Sequence, residues 1–361
     1  MRFPAQPRSI LVLKPCCLGD VLAATALVRE VRLAFPDTKL DFAVGRWSRP
    51  AVETNPRIDE IIDCGRVGSG RYSAAEYLDL VRRIRARRYE VCFVPERSVW
   101  LTMIPWLAGI PVRVGIDSGG RGFSLTVKVP WRPPRNEAEL YLDLLRAVGI
   151  EPRDPRIEFF PRAEDRHWAR QVLGSARPRV VIQPGGGINP GMVLPAKRWP
   201  PDRFVEIGRR VLELGGTVVV IGTSWDRAAV APVLRRLEGL ARPGRLVNLV
   251  EAVDFTRLGA VLAEADLFVG PDSGPMHLAA AVGTPTVAIF GPSSPEVYRP
   301  LAPNVVALYN PVPTSPCFIN GRWNSACRNW ACIRAVSVEE VWAAATRLLA
   351  DRSTDRVPGS A

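Results

Sequence analysis

The chain has 361 residues, of which 47% are hydrophobic and 23% charged, with a formal net charge of +12 and a pI near 9.9. That length favours two domains, and the composition excludes a disordered or fibrous chain. No apolar run approaches the roughly 18 residues of a membrane-spanning helix, and residues 1–10 lack the apolar core of a secretory signal, so the chain reads as cytoplasmic. Seven cysteines, an odd number unevenly spaced, fit a reducing compartment better than a disulfide framework. The positive excess points to a polyanionic partner: nucleic acid, anionic lipid head groups or phosphorylated sugars.

In chain order the pattern alternates strand and helix, as parallel α/β sheets do. In the first half, residues 10–13, 40–44, 60–62, 91–94 and 112–115 read as strands, and 21–35, 74–88, 100–108 and 137–148 as helices. The helix at 74–88 carries Arg82, Arg83, Arg85, Arg87 and Arg88 around a buried stripe of Tyr77, Val81 and Ile84. Its basic face is either merely solvated or a contact for an acidic membrane surface. Prolines at 152, 155, 161 and 178 mark a stretch of weak periodicity, read as a linker over 161–178 with one short helix. A second alternating series follows, with strands at 180–183, 217–221, 246–249, 267–270, 286–290 and 305–308. Its helices are 204–214, 226–237, 255–265 and 274–282. The expected organisation is a Rossmann-like domain over 1–160, a second over 179–335, a closing helix over 336–350 and a disordered tail over 351–361.

Three strand-to-helix turns carry polar chemistry. The first is Lys14-Pro-Cys-Cys-Leu-Gly-Asp20, in which Gly19 and Asp20 stand at the ligand edge of the first strand. Asp20 is either a helix cap or a general base tuned by burial. The second, Val180-Val-Ile-Gln-Pro-Gly-Gly-Gly-Ile188, has the consecutive glycines Gly185 and Gly186 that let backbone amides approach a ligand. It lacks the G-x-G-x-x-G spacing of a dinucleotide fingerprint. Lys197, one of four lysines, follows in Lys197-Arg-Trp-Pro200 and is either a solvated loop residue or a point charge for a phosphate. The third is Gly270-Pro-Asp-Ser-Gly-Pro-Met-His-Leu278. Asp272 or Ser273 suits a helix cap, Pro275 suits the first turn, and the helix start at Gly274 presents free N–H groups to an anion. The bland alternative is a well-capped helix without a ligand. His277, one of two histidines, lies one turn inside. Cys317, Cys327 and Cys332 match no common zinc spacing and read as buried or structural thiols, with a metal or redox bridge as the alternative.

Together these segments resemble glycosyltransferase family 9, the heptosyltransferases of lipopolysaccharide core assembly, over about residues 9–345. Leu18-Gly-Asp-Val21, Lys197-Arg-Trp-Pro200 and Asp272-Ser-Gly-Pro-Met-His277 followed by Phe290-Gly-Pro292 occur in the family's order. Cys16 and Cys17 stand where the family commonly has hydroxyl residues. The resemblance implies a GT-B fold, two Rossmann-like domains facing a central cleft. It also implies a metal-independent, inverting transfer of a heptose-like sugar from an ADP-sugar to a glycolipid or glycan acceptor. Asp20 would be the catalytic base, with Lys14 and Gly19 positioning the acceptor. Lys197 would hold the donor diphosphate with Gly185, Gly186, Asp272, Ser273, Gly274 and His277, and Asp226 would contact the ribose. No cofactor or metal is implied beyond the nucleotide sugar. A peripheral contact of the basic first domain with the cytoplasmic face of the inner membrane is a further expectation.

Two other classes compete. A non-catalytic nucleotide-sugar-binding protein would keep the Asp272–His277 anion site and dispense with Asp20. A sugar-nucleotide epimerase would need more acid/base residues than His167 and His277 provide. Nucleic acid as partner is not expected, because the aromatics do not interleave with the basic runs.

Overall fold

Runs of Val, Ile and Leu too apolar to face water on either side become central parallel strands, and the amphipathic stretches between them cover both faces. The structure, a computed structural model, describes residues 3–68, 72–189, 192–319, 322–323 and 329–354. It divides into two units, Met1–Phe159 and Phe160–Ala361.

In the first unit the order is β1 (Ser9–Leu13), α1 (Leu18–Ala34), β2 (Lys39–Val44), β3 (Glu60–Asp63), α2 (Ala74–Ala86), β4 (Val91–Val94), α3 (Val99–Leu107), β5 (Val112–Asp117), β6 (Val127–Pro130) and α4 (Glu137–Arg146). The strands form one parallel sheet ordered β3-β2-β1-β4-β5-β6. Such a sheet leaves a crevice at the carboxyl ends of β1 and β4, where the winding direction reverses. The sequence reading missed β6, an edge strand in which only Val129 is buried. Four residues with one inward side chain give too short a period to recognise.

The second unit contains α5 (Ala163–Leu173), β7 (Arg179–Ile182), the hairpin β8 (Ile188–Asn189) and β9 (Met192–Val193), α6 (Pro201–Glu213), β10 (Thr217–Val220), α7 (Arg227–Glu238), β11 (Leu246–Asn248), α8 (Phe255–Glu264), β12 (Leu267–Pro271), α9 (Gly274–Ala281), β13 (Thr286–Phe290), α10 (Pro295–Tyr298), β14 (Val305–Tyr309), the hairpin β15 (Phe318–Ile319) and β16 (Arg322–Trp323), α11 (Ala331–Ala335) and α12 (Val338–Thr354). Its main sheet, β11-β10-β7-β12-β13-β14, repeats the same winding, with the reversal between β7 and β12. Helix α5 packs on α8, where Arg166 and Arg170 reach the Glu264 carboxylate at 2.9 and 3.3 Å, so most of the stretch expected as a linker is tied into this unit. Helix α12 continues past residue 351, where a disordered tail was expected, and residues 355–361 lie outside the described residues.

The core of the second unit is closed by Trp199, wholly buried, with its ring edge-on to Phe204 at 5.0 Å. Its indole N–H donates to the carbonyl of Val336 at 2.9 Å, tying the loop before α6 to the segment before α12. Trp199→Ala removes the ring from the core, leaves the Val336 carbonyl only its bond from Arg203, and is expected to cost about 3–5 kcal/mol. Urea unfolding checks it, and a loss under about 1 kcal/mol would show that the site collapses around the smaller side chain.

Candidate active site

In the first unit, chemistry gathers at the β1/β4 reversal. Cys17 is extended (φ −107°, ψ 178°), and helix α1 starts at Leu18 rather than at 21 as the sequence pattern predicts. Gly19 and Asp20 therefore lie in the first helical turn, and Asp20 is not the cap residue: Cys17 is, without a side-chain capping bond. A carboxylate in a first turn is favoured by the helix dipole. The side chain of Asp20 is 36% exposed, available to a substrate. Cys16 and Cys17 are joined as a disulfide. This single bond between chain neighbours is not a disulfide framework: Cys64, Cys92, Cys317 and Cys332 are free thiols.

Lys14, at the end of β1, is almost fully buried, and its ammonium donates to Glu96 at 2.9 Å and lies 3.7 Å from Asp20. It also stands over the Tyr141 ring at 5.6 Å. Burial pulls the Lys14 pKa down, but Glu96, Asp20 and Glu137 outweigh it and hold the pKa above the ordinary lysine value. Lys14 is thus a fixed cation beside Asp20. Arg97 completes the wall by pairing with Glu137 at 2.6 Å and stacking on Trp131. Glu96 went unnoticed in the sequence, although it follows β4 by the same strand-end logic that singled out Asp20.

In the second unit, the loops after β7 and β12 meet at the other reversal. Ser273 Oγ donates to Gln183 Oε1 at 2.7 Å and to the Pro271 carbonyl at 3.1 Å. Ser273 occupies the cap position of α9 but makes no capping bond with its side chain. The side-chain cap is therefore not what forms: the Met276 and His277 amides bond back to the Ser273 carbonyl at 3.1 and 3.3 Å, Pro275 has no N–H, and the Gly274 amide stands at the helix start without a side-chain cap. Asp272 instead accepts from Lys197 Nζ at 2.6 Å and from the Ser293 hydroxyl, and its other oxygen lies 4.0 Å from His277 Nε2. Lys197 ends a 3₁₀ turn at Pro195–Lys197, is 12% exposed, and sits near the rings of Tyr298 and Phe318 at 6.0 and 5.8 Å. The solvated-loop alternative for Lys197 does not hold. Ser293 and Gln183 were missed; both follow core strands at the same sheet edge.

Asp226 is 1% exposed in a 3₁₀ turn after β10. One oxygen accepts from the Gly186 amide at 3.2 Å and the other from the amide and hydroxyl of Thr223 at 3.1 and 3.0 Å. This makes Asp226 the tie that shapes the glycine loop. A Cβ on Gly185 would lie 2.2 Å from the Asp226 carboxyl carbon, and one on Gly186 would lie 2.7 Å from the Leu194 carbonyl oxygen. Those contacts explain why glycine stands at both positions. Cys317 and Cys332 are buried, and Cys327 lies outside the described residues. Among the described residues, no three His, Cys, Asp or Glu side chains gather as a metal centre, and no helix is long and apolar enough to cross a membrane.

Burial raises the Asp272 pKa, but the charges of Lys197 and His277 and the hydrogen bonds from Lys197 and Ser293 outweigh it and leave it below the ordinary carboxylate value. The folded state therefore holds fewer protons on this group than the unfolded chain. Its stabilising contribution is present above the unfolded carboxylate pKa and is lost as pH falls through the lower folded value. Asp272→Asn is expected to be destabilised at neutral pH, where it leaves Lys197 buried without its carboxylate. Its stability should also fall less steeply than the parent's from about pH 5 to about pH 3. Urea midpoints across that range check the sign, and parallel curves would refute it. In the first unit, Lys14→Met strands Glu96 and should cost roughly 3–5 kcal/mol in the same measurement.

A family model, glycosyltransferase family 9 (heptosyltransferase), matches residues 77–326. The lipopolysaccharide heptosyltransferase 2 of Escherichia coli K12 is 29% identical over 305 residues, covering 81% of this chain and 85% of that protein. The crystal structure of a family 9 glycosyltransferase from Veillonella parvula superposes with a TM-score of 0.79 at 23% identity, covering 97% of this chain and all of that one. The E. coli heptosyltransferase WaaC with ADP gives 0.73 at 17% identity, covering 94% and 99%. Two reversed-winding α/β units, each with a buried lysine–carboxylate pair at its reversal, and a family match over most of the chain lead to one conclusion: this chain belongs to glycosyltransferase family 9, has the two-domain GT-B fold, and is a glycosyltransferase.

Proposed function

We propose that the enzyme moves a heptose-like sugar from an ADP-linked donor to a lipopolysaccharide-core or related glycolipid acceptor, with inversion at the anomeric carbon and without a metal ion. The relatives' names support the donor and acceptor classes: one is a lipopolysaccharide heptosyltransferase, and another was solved with ADP. The observation that carries the reading is the buried Lys197–Asp272 pair beside the side-chain-uncapped start of α9. A cation held by its own carboxylate beside the positive end of a helix dipole is suited to a diphosphate, whose negative charge rises as the sugar departs.

In this mechanism Asp20 takes the proton of the acceptor hydroxyl as its oxygen bonds to the anomeric carbon. The bond from that carbon to the diphosphate oxygen breaks, and its electron pair leaves with the nucleoside diphosphate. Lys14 orients the Asp20 carboxylate from 3.7 Å. Lys197 and the α9 dipole meet the leaving charge. Gly185 and Gly186 let backbone approach the donor closely, and Asp226, buried with both oxygens bound, fixes their loop rather than meeting the ribose itself. A glycolipid acceptor brings the enzyme to a membrane surface.

Asp20→Asn is expected to lower kcat by about 10²–10⁴-fold while leaving ADP affinity near the parent's. Calorimetric titration with ADP alongside turnover separates the two effects, and turnover at the parental rate would remove Asp20 as the base. Lys197→Met should weaken ADP binding by about 10-fold or more. Turnover should survive EDTA, and its abolition with rescue by a divalent cation would overturn the metal-independent scheme.

A further inference from the structure

Helices α2 and α3 and the segment before β6 carry most of the exposed large apolar side chains of the first unit among the described residues. Trp100, Trp106 and Phe123 are 58%, 47% and 56% exposed, and Leu78 on α2 is 48% exposed. The Trp106 and Phe123 rings pack edge-on at 6.3 Å, and the Trp100 carbonyl accepts from the buried Tyr77 hydroxyl of α2, so these groups are rigidly mounted. Scattered single apolar residues are ordinary, but Trp106 and Phe123 pack on each other as an exposed aromatic pair, and Trp100 stands exposed at the other end of α3 against Tyr77.

The basic residues beside the patch are sorted by their partners. Arg83 pairs with Asp79 at 2.8 Å, and Arg87 pairs with Glu60. Arg82, Arg85 and Arg88 are exposed, and with Arg121, next to Phe123, they have no carboxylate partner among the described residues. Leu78, Arg82 and Arg85 follow each other at helical spacing on α2, so apolar and cationic groups share one stripe. Arg85 and Arg88 also line an open recess of about 840 Å³, closed on the far side by Gly109 and Pro111 just past the end of α3. The acidic residue in that recess, Glu90, is already bound to Arg8.

We propose that this α2–α3 surface docks on an anionic phospholipid bilayer, with Trp100, Trp106 and Phe123 at the headgroup–acyl boundary and Arg82, Arg85, Arg88 and Arg121 on lipid phosphates. Tryptophan prefers that boundary because one end of the ring is apolar and the other donates a hydrogen bond. Unpaired arginines add attraction to negative headgroups within a Debye length. The biological sense of the surface rests on the glycolipid-acceptor reading above, but its chemistry stands independently.

The test is cosedimentation of the full chain with vesicles of phosphatidylcholine alone or containing a third phosphatidylglycerol. The parent is expected to bind the anionic vesicles at least about 10-fold more tightly and to release them as salt rises. The double variant Trp106→Ser/Phe123→Ser should lose about 10-fold in affinity. Arg82→Gln/Arg85→Gln/Arg88→Gln should lose the preference for anionic lipid, on the order of 100-fold. Both should keep the parent's unfolding midpoint and its turnover of a water-soluble acceptor. Vesicle binding that is absent, or the same in parent and variants, overturns the proposal. So does a parent dimer that Trp106→Ser/Phe123→Ser converts to a monomer in sedimentation velocity, since the patch would then cover a second copy. If the parent turns over no acceptor yet binds vesicles as described, the transferase reading fails and the docking surface stands.

Discussion

A buried ammonium group is tolerable only beside a carboxylate, and each unit of this enzyme places one such pair where its sheet reverses winding. In the first unit Lys14 at the end of β1 meets Glu96 after β4. In the second Lys197, from the segment after β7, meets Asp272 after β12. Buried ion pairs are poor sources of stability, because desolvation offsets most of their attraction, while a partner left alone is costly. Their location at the two crevices of a parallel fold is therefore better explained by chemistry than by folding. The sheets supply rigidity, and the pairs fix a positive charge at each ligand edge.

The two pairs differ in what they leave available. Lys14 is spent on Glu96 and reaches Asp20 from 3.7 Å, so the group left for a substrate is the half-exposed carboxylate. Lys197 is spent on Asp272, but the neighbouring helix start has no side-chain cap, because the Ser273 hydroxyl is drawn to Gln183 and Pro271. What remains there is positive. In the proposed reaction the first crevice supplies the base and the second the anion cradle, the division of labour that sugar transfer from a diphosphate requires.

Asp226 shows how a plausible role and an observed place differ. An acidic residue after a Rossmann strand invites a ribose contact, but here the carboxylate is buried with both oxygens bound to Gly186 and Thr223. The local pattern was visible; the hydrogen bond across 40 positions to the glycine loop was not. Ser293 was missed for a related reason. A serine after a strand is unremarkable until folding sets it against Asp272, 21 residues earlier.

The alternation of apolar strands and amphipathic helices, the two-domain organisation and the three strand-end motifs were legible in the amino-acid order, because period and turn chemistry are local properties. So was the family, which depends on the order of short motifs. Boundaries within the first helical turn, the unexpected strand β6 and the Cys16–Cys17 bond were decided by backbone geometry that composition does not encode. The partners of each charged group were decided only in three dimensions. Whether Lys14 faces Glu96, whether Arg83 is neutralised while Arg82 is not, and whether Ser273 caps its helix or turns to Gln183 all depend on which residues distant in the chain the sheet order brings within about 3 Å of one another.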